Sequence, residues 1–170
     1  MGKHLPDFAE PSWFVCHTKP RCEKRLARLL DLEKFAHYLP LLQSIRRYGT
    51  QVKKFTKPLF PGYVFARVLP EKKTRIYQQD LLVRAMLVEN EALFLRQLED
   101  VKLICASGLE ASLRPLLKKG TRVRVLSGPL AGLEGFVDDP ANPRGVVVSV
   151  DVLQQGLLIP LPLENLKLLP

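Results

Sequence analysis

The sequence predicts an α+β protein in two parts: a ferredoxin-like sheet with helices over residues 1–106, then a small β-barrel over 118–170. Three observations carry this. Strand-like and helix-like periods alternate through the first hundred residues as β-α-β-β-β-α-β-α. After Lys118-Lys119-Gly120 the texture changes to five short strands separated by Gly, Pro and Asn turns. The charge divides at the same place: residues 1–106 hold 19 Lys+Arg against 11 Asp+Glu, a net of +8, whereas 107–170 hold 7 against 6, a net of +1.

In order along the chain, 1–11 reads as a tail. Ser12–Thr18 alternates as a strand, with Trp13, Val15 and His17 on one face and Phe14 and Cys16 on the other. Thr18 can cap a following helix that carries Pro20 in its first turn and runs to about Phe35. Cys22, Leu26, Leu29 and Leu30 form its apolar stripe, and Lys24, Arg25 and Arg28 lie off it. Tyr38–Arg47 and Gln51–Lys57 read as two extended arms around Tyr48-Gly49-Thr50. Gly62–Leu69 is an aromatic strand entered through the rigid turn Lys57-Pro58-Leu59-Phe60-Pro61. Its alternation sends Tyr63, Phe65 and Arg67 to one sheet face and Val64, Ala66 and Val68 to the other. The second set reads as core. The first reads as an exposed aromatic binding platform, the alternative being a sheet buried on both faces.

Pro70–Gln79 reads as a short helix, Leu81–Val88 as a strand, and Glu91–Ala106 as a helix with Leu95, Leu98 and Ile104 on or near one face. Residues 107–117 read as a linker. The barrel strands are Thr121–Leu126, Leu133–Val137, Gly145–Val152, Leu157–Leu161 and Glu164–Leu168. The turn Gly128-Pro129-Leu130-Ala131-Gly132 uses its glycines for positive φ.

Hydrophobic content of 46% and charged content of 25% are those of an ordinary folded protein. The net charge of +9 points to polyanions, and its concentration in the first part says which part meets them. One basic cluster is Lys19, Arg21, Lys24, Arg25 and Arg28. A second is Arg46, Arg47, Lys53, Lys54 and Lys57, with no acid from Gln43 to Leu69. A hairpin of like charges repels itself, so phosphate contact explains the second cluster better than solvation.

Cys16, Cys22 and Cys105 are odd in number and lack C-x-x-C spacing, and His4, His17 and His37 are scattered. No zinc site, other metal or cofactor is therefore expected, and reduced thiols fit the cytoplasm. Cys16 and His17 are strand neighbours facing opposite ways, which excludes a thiol–imidazole pair. No phosphate-binding loop or dinucleotide fingerprint appears, so no enzyme is expected. No segment approaches the length of a membrane span or a secretory signal.

These residues resemble a family. Trp13-Phe14-Val15, Thr18, Pro20-Arg21 and Glu23, then Leu59-Phe60-Pro61-Gly62-Tyr63-Val64, are similar to the opening strand, first helix and signature turn of bacterial NusG-type transcription elongation factors, including the specialised RfaH-like paralogues. Lys119-Gly120-Thr121-Arg122-Val123-Arg124-Val125, Gly128-Pro129, Gly132 and Gly135-Phe136-Val137 are similar to the KOW motif. The resemblance implies an NGN domain over 1–106 and an SH3-like KOW barrel over 118–170. It implies docking on the clamp helices of RNA polymerase through Trp13, His17, Phe60, Tyr63 and Phe65, near upstream or non-template DNA. Lys19, Arg21, Lys24, Arg25, Arg28, Arg46, Arg47, Lys53 and Lys54 would meet the nucleic acid. The barrel would recruit a ribosomal protein or Rho, and the factor would act as a monomer to reduce pausing or termination. It does not extend to reading a DNA sequence, because Leu29, Leu32 and Glu33 stand where the RfaH-like readers would be. The rival reading is an RNA-binding, ribosome-associated protein, since Gly62–Val68 has some likeness to an RRM strand.

Overall fold

The computed structural model describes residues 10–116, 120–137 and 144–170. Residues 1–9 of the tail expected over 1–11, residues 117–119 including Lys119 at the head of the KOW-like motif, and 138–143 of the turn before Gly145 lie outside the described residues. The chain divides into two compact units. One comprises the described residues up to Leu39 together with Pro58–Glu89, and the other comprises Pro40–Lys57 and Asn90–Pro170.

The first unit is a four-stranded antiparallel sheet. Its strands are β1 (Ser12–Thr18), β2 (Ala36–Tyr38), β5 (Tyr63–Val68) and β6 (Leu82–Leu87), in the order β2-β5-β1-β6. Helix α1 (Glu23–Leu32) follows β1, and α2 (Lys73–Tyr77) precedes β6 after a 3-10 turn at Pro70–Lys72. This is the βαββαβ pattern of a ferredoxin-like sheet. Register sets Phe14 opposite Ala66 and Cys16 opposite Val64. Those four, with Val68, turn one face onto Leu26 and Leu30 of α1 and Ile76 of α2, forming the core. Leu26 and Leu30 are fully buried, and Cys22 and Leu29 pack partly against them. Each fully buried Leu or Phe of this kind contributes about 2 kcal/mol of transfer free energy.

Local chemistry corrects three expectations here. Thr18 ends β1 rather than capping a helix, and its hydroxyl is buried without a hydrogen-bond partner. Lys19-Pro20-Arg21-Cys22 forms an intervening turn, with the Cys22 N–H donating to the Lys19 carbonyl at 3.1 Å and Arg21 at φ +61°. Helix α1 stops at Leu32, not Phe35. Lys34 takes a left-handed φ of +58°, while the Lys34 and Phe35 N–H groups donate to the Asp31 and Leu30 carbonyls. That is a Schellman closure made with lysine at the site glycine usually fills. It frees Ala36–Tyr38 to pair with β5, a strand absent from the sequence reading, which placed only Tyr38 in the following arm.

The second unit contains the hairpin β3 (Leu41–Tyr48) and β4 (Gln51–Pro58), which pair with each other as a separate two-stranded sheet. It also contains α3 (Glu91–Ser107), β7 (Ser112–Pro115), β8 (Thr121–Val125), β9 (Glu134–Val137), β10 (Val146–Val150), β11 (Gln155–Ile159) and β12 (Leu166–Leu168). The last six form one sheet in the order β12-β8-β9-β10-β11-β7, every described pairing antiparallel. Strand β7 falls inside the stretch read as linker: Ser112–Pro115 pair with Gln155–Leu158 of β11, although all four are exposed. Val146, Val147 and Val148 are buried in succession, so both faces of β10 are covered.

Asn90 caps α3 by accepting the Leu93 N–H at 3.1 Å, and Gly108 at φ +72° ends it. Its buried stripe is Phe94, Leu98, Val101 and Ile104. Leu95, expected on that stripe, is 39% exposed. Helix α3 packs on β10 and is pinned beyond it by a two-way bond. Gln97 Nε2 donates to Asp151 Oδ1 at 2.8 Å, and the Asp151 N–H donates to Gln97 Oε1 at 2.9 Å.

Asp100 of α3 sits less comfortably. Burial, with the Glu134 charge behind it, raises its carboxyl above the ordinary 3.8, and Arg96 offsets only part of this. A carboxyl raised by folding is deprotonated more readily in the unfolded chain, so its contribution to stability falls as pH rises from the unfolded value through the folded one. Asp100→Asn should therefore raise the thermal midpoint at pH 7. The gain should shrink towards zero below about pH 4, where both side chains are neutral. Melting curves of the two proteins across this range check it; a pH-independent difference would assign Asp100 a purely steric role.

Candidate docking site and basic surfaces

The Leu59-Phe60-Pro61-Gly62 turn delivers β5 to the sheet. Gly62 sits at φ +87°, a conformation that side-chain-bearing residues rarely adopt. Three hydrogen bonds fix the turn. The Tyr63 N–H donates to the Phe60 carbonyl at 3.1 Å, and the Thr18 N–H donates to the Gly62 carbonyl at 2.8 Å. The Gly62 N–H donates to Glu23 Oε1 at 2.8 Å. Glu23 is the first residue of α1 and only 8% exposed, and an acid at this helix position is also favoured by the helix dipole. One buried carboxylate thus ties the helix start to the turn.

Above this turn, register places His17 of β1 opposite Tyr63 of β5. Their rings stack with centroids 5.0 Å apart and planes 18° from parallel, and both residues are half-buried. Farther along the same face, Val15 pairs with Phe65 and Trp13 with Arg67. Trp13 is half-buried and Arg67 exposed, but Val15 and Phe65 are completely buried. Trp13 and His17 lie four residue steps apart along the strand, about 13 Å, so they mark two ends of the face rather than one cluster.

This corrects the expected ring platform. Phe65 is 0% exposed and Phe60 1%, so neither offers area to a visitor. Alternation identified the faces correctly, but it cannot tell an exposed face from a second buried one. Leu59 and Phe60 of the turn are both buried. The accessible rings are Trp13, His17 and Tyr63.

The cations divide by role. Lys19 forms an ion pair with Asp80, holding that exposed carboxyl below its usual range through its hydrogen bond and its charge. Arg21, Lys24, Arg25 and Arg28 are exposed on or just before α1. Arg46, Arg47, Lys53 and Lys54 are all exposed on the hairpin. In the C-terminal sheet, Arg124 and Arg122 both bond Glu134, at 2.6 and 3.3 Å, and Glu134 is held below its ordinary range chiefly by Arg124.

Cys16 is fully buried, and burial pushes its thiol up to about 12 despite the opposing Lys73 charge, so it stays protonated and unreactive. Among the described residues no cluster of three or more His, Cys, Asp or Glu could hold a metal ion, and no helix is long and apolar enough to cross a membrane. Sequence reasoning missed Glu23 as a positioning residue. Its signal was an acid at the first helical residue, 39 positions before a turn glycine, a separation no local pattern detects.

A family model described as transcription termination factor nusG matches residues 11–108, more than half of the chain. No curated protein matches the chain.

Removing the Glu23 carboxylate leaves the Gly62 N–H without its partner in a half-buried turn. Glu23→Ala should cost about 1–3 kcal/mol of unfolding free energy. Chemical denaturation checks this; a loss below about 0.5 kcal/mol would show the turn to be held by its other two bonds.

Proposed function

The chain belongs to the NusG family of transcription factors, and from that premise we propose that it docks on the clamp helices of RNA polymerase through Tyr63 and His17, with Trp13 as a separate anchor. The observation that carries this is the half-exposed His17–Tyr63 stack, held in place by a turn bonded to both β1 and α1. Aromatic groups fixed on a rigid frame lose little entropy on binding, which is what a docking hot spot requires. Once docked, the basic faces of α1 and the hairpin meet upstream or non-template DNA. The factor then favours the polymerase state that spans the cleft, reducing pausing or termination by differential binding.

In this reading 1–106 is the NGN domain, 107–117 the connection and 118–170 a KOW barrel that recruits a ribosomal protein or Rho. Support for a protein partner there comes from charge: Arg122 and Arg124 are committed to Glu134. The protein acts in the cytoplasm as a monomer.

Tyr63→Ala and Trp13→Ala should each weaken retention on purified bacterial RNA polymerase by about 1–3 kcal/mol while leaving the melting curve near that of the wild type. Wild-type retention by both variants would end the docking proposal, and preferential capture of ribosomes from a bacterial lysate would favour the RNA-binding reading. Replacing Arg46, Arg47, Lys53 and Lys54 together by Gln should weaken DNA binding and flatten its dependence on salt, since each phosphate contact adds about 0.9 to the log–log slope on duplex DNA. An unchanged slope would assign those cations to solvation.

A further inference from the structure

Strand β7 closes one end of the C-terminal sheet. Its four residues, Ser112–Pro115, pair antiparallel with Gln155–Leu158 of β11, and without them β11 would be the outer strand. The two strands differ in what they bury. All four residues of β7 are exposed, Leu113 at 39% among them. Gly156, Leu157, Leu158 and Ile159 of β11 are buried. They differ again in how they treat an edge. Strand β7 carries Arg114 and ends on Pro115, which has no N–H to give; charge and proline are what blunt an outer strand. Gln155-Gly156-Leu157-Leu158-Ile159 has neither, so an uncovered β11 would offer an uncharged backbone ladder to any extended chain. Gly156 lets the neighbouring strand come close, since a Cβ there would stand 3.3 Å from the Pro115 carbonyl oxygen.

We propose that β7 is a displaceable cover, and that the β11 edge beneath it takes an extended segment of a protein partner by strand addition. Releasing β7 gives up no buried side chain of its own, so the loss is confined to a few backbone bonds at the end of a sheet. An incoming strand restores those bonds. The register of β7 stops at Leu158, so a partner strand one or two residues longer also reaches Ile159 and displaces the cover. Nucleic acid does not fit this edge: β11 carries no cation, and Arg114 leaves with β7. Strand β7 lies between the end of α3 at Ser107 and the start of β8 at Thr121, so its release lengthens the connection and unfolds neither element. The inference rests on the reading that the C-terminal sheet meets a protein, and it names the edge that is used and the strand that guards it.

The test uses the full chain and a fluorescent synthetic peptide of residues 110–116, the cover strand itself, as the probe. Leu113→Pro with Arg114→Pro removes a ladder donor whichever of the two N–H groups points at β11, and so opens the edge. Anisotropy should show the peptide binding this variant about tenfold or more tighter than the wild type, because the wild type binds only in its open fraction. Leu113→Cys with Leu157→Cys, directly opposite in the register, locks the cover when oxidised, in a chain that also carries Cys22→Ser and Cys105→Ser. The locked chain should exclude the peptide, and reduction of the same protein should restore wild-type binding, which separates masking from misfolding. In the wild type, β7 amides should exchange with solvent through local opening, at least a hundredfold faster than those of β10. Equal peptide affinity in locked and reduced chains, equal protection of β7 and β10, or an opened variant that dimerises instead of taking the peptide would each overturn the proposal. Retention on polymerase should be the same for locked and reduced chains. A chain that takes the peptide when opened but is not retained on polymerase fails the docking proposal alone. A chain that is retained but takes no peptide when opened fails this one alone.

Discussion

The hydrogen bond from the Gly62 N–H to the Glu23 carboxylate is the constraint on which the first unit's surface depends. The turn that contains it has no secondary structure of its own to position β5. Its glycine uses a left-handed φ, and its prolines at 58 and 61 donate no N–H. A half-buried backbone donor left without a partner would cost about 1–3 kcal/mol. Glu23 supplies that partner from the start of α1, and the Thr18 N–H closes the turn from the end of β1. Helix, strand and turn are thereby joined at one point, and the His17–Tyr63 stack stands directly on it. Ring position follows from backbone bonding, so the patch is shaped without the rings having to pack one another into place.

Burial on this sheet shows what a single sequence could and could not reveal. The core face was legible because α1 has its own period: Leu26 and Leu30 meet Phe14, Cys16, Val64 and Ala66, and two independent alternations agree. The opposite face carries Trp13, Val15 and His17 against Arg67, Phe65 and Tyr63, a mixture of rings, a cation and one aliphatic residue. Such a composition is compatible with water or with a second layer. Burial of Val15 and Phe65 is a tertiary fact, and strand alternation contains no information about it. The same holds for the burial of Phe60. Helix boundaries failed for a different reason. Lys34 in a left-handed conformation ends α1 without a glycine, and Thr18 looks like a cap only until β1 claims it.

The basic surface was legible as composition, but composition treats every cation alike. In the structure Lys19 is paired with Asp80 and Arg75 with Glu33, exposed ion pairs that contribute little to stability yet occupy charges that would otherwise face a partner. The hairpin is the opposite case. Its strands hold several bases and no acid, and the local potential there is not cancelled from within. Screening at physiological salt confines such a field to about 8 Å, so it acts on what touches the hairpin rather than on distant polyanions.

The hairpin and the C-terminal sheet, both in the second unit, therefore differ in their electrostatics in a way that bears on function. In the C-terminal sheet, Arg122 and Arg124 project from β8 on the same side and both end on Glu134 of the neighbouring strand. Alternation sets Val123 and Val125 into the interior between them. A phosphate approaching this pair would have to displace a carboxylate already bonded at 2.6 Å, exchanging one charge-assisted contact for another with little net gain. On the hairpin no such exchange is needed, because its cations lack acidic neighbours along the strands. A polyanion gains the full counterion-release term there and almost none at β8. The net charge of +9 is thus a poor guide to where a nucleic acid would gain most, whereas the placement of eleven acids in the first 106 residues, none of them between Gln43 and Leu69, is a good one. The positions of the acids alone favour the proposed nucleic-acid surface on the hairpin and the proposed protein surface on the C-terminal sheet.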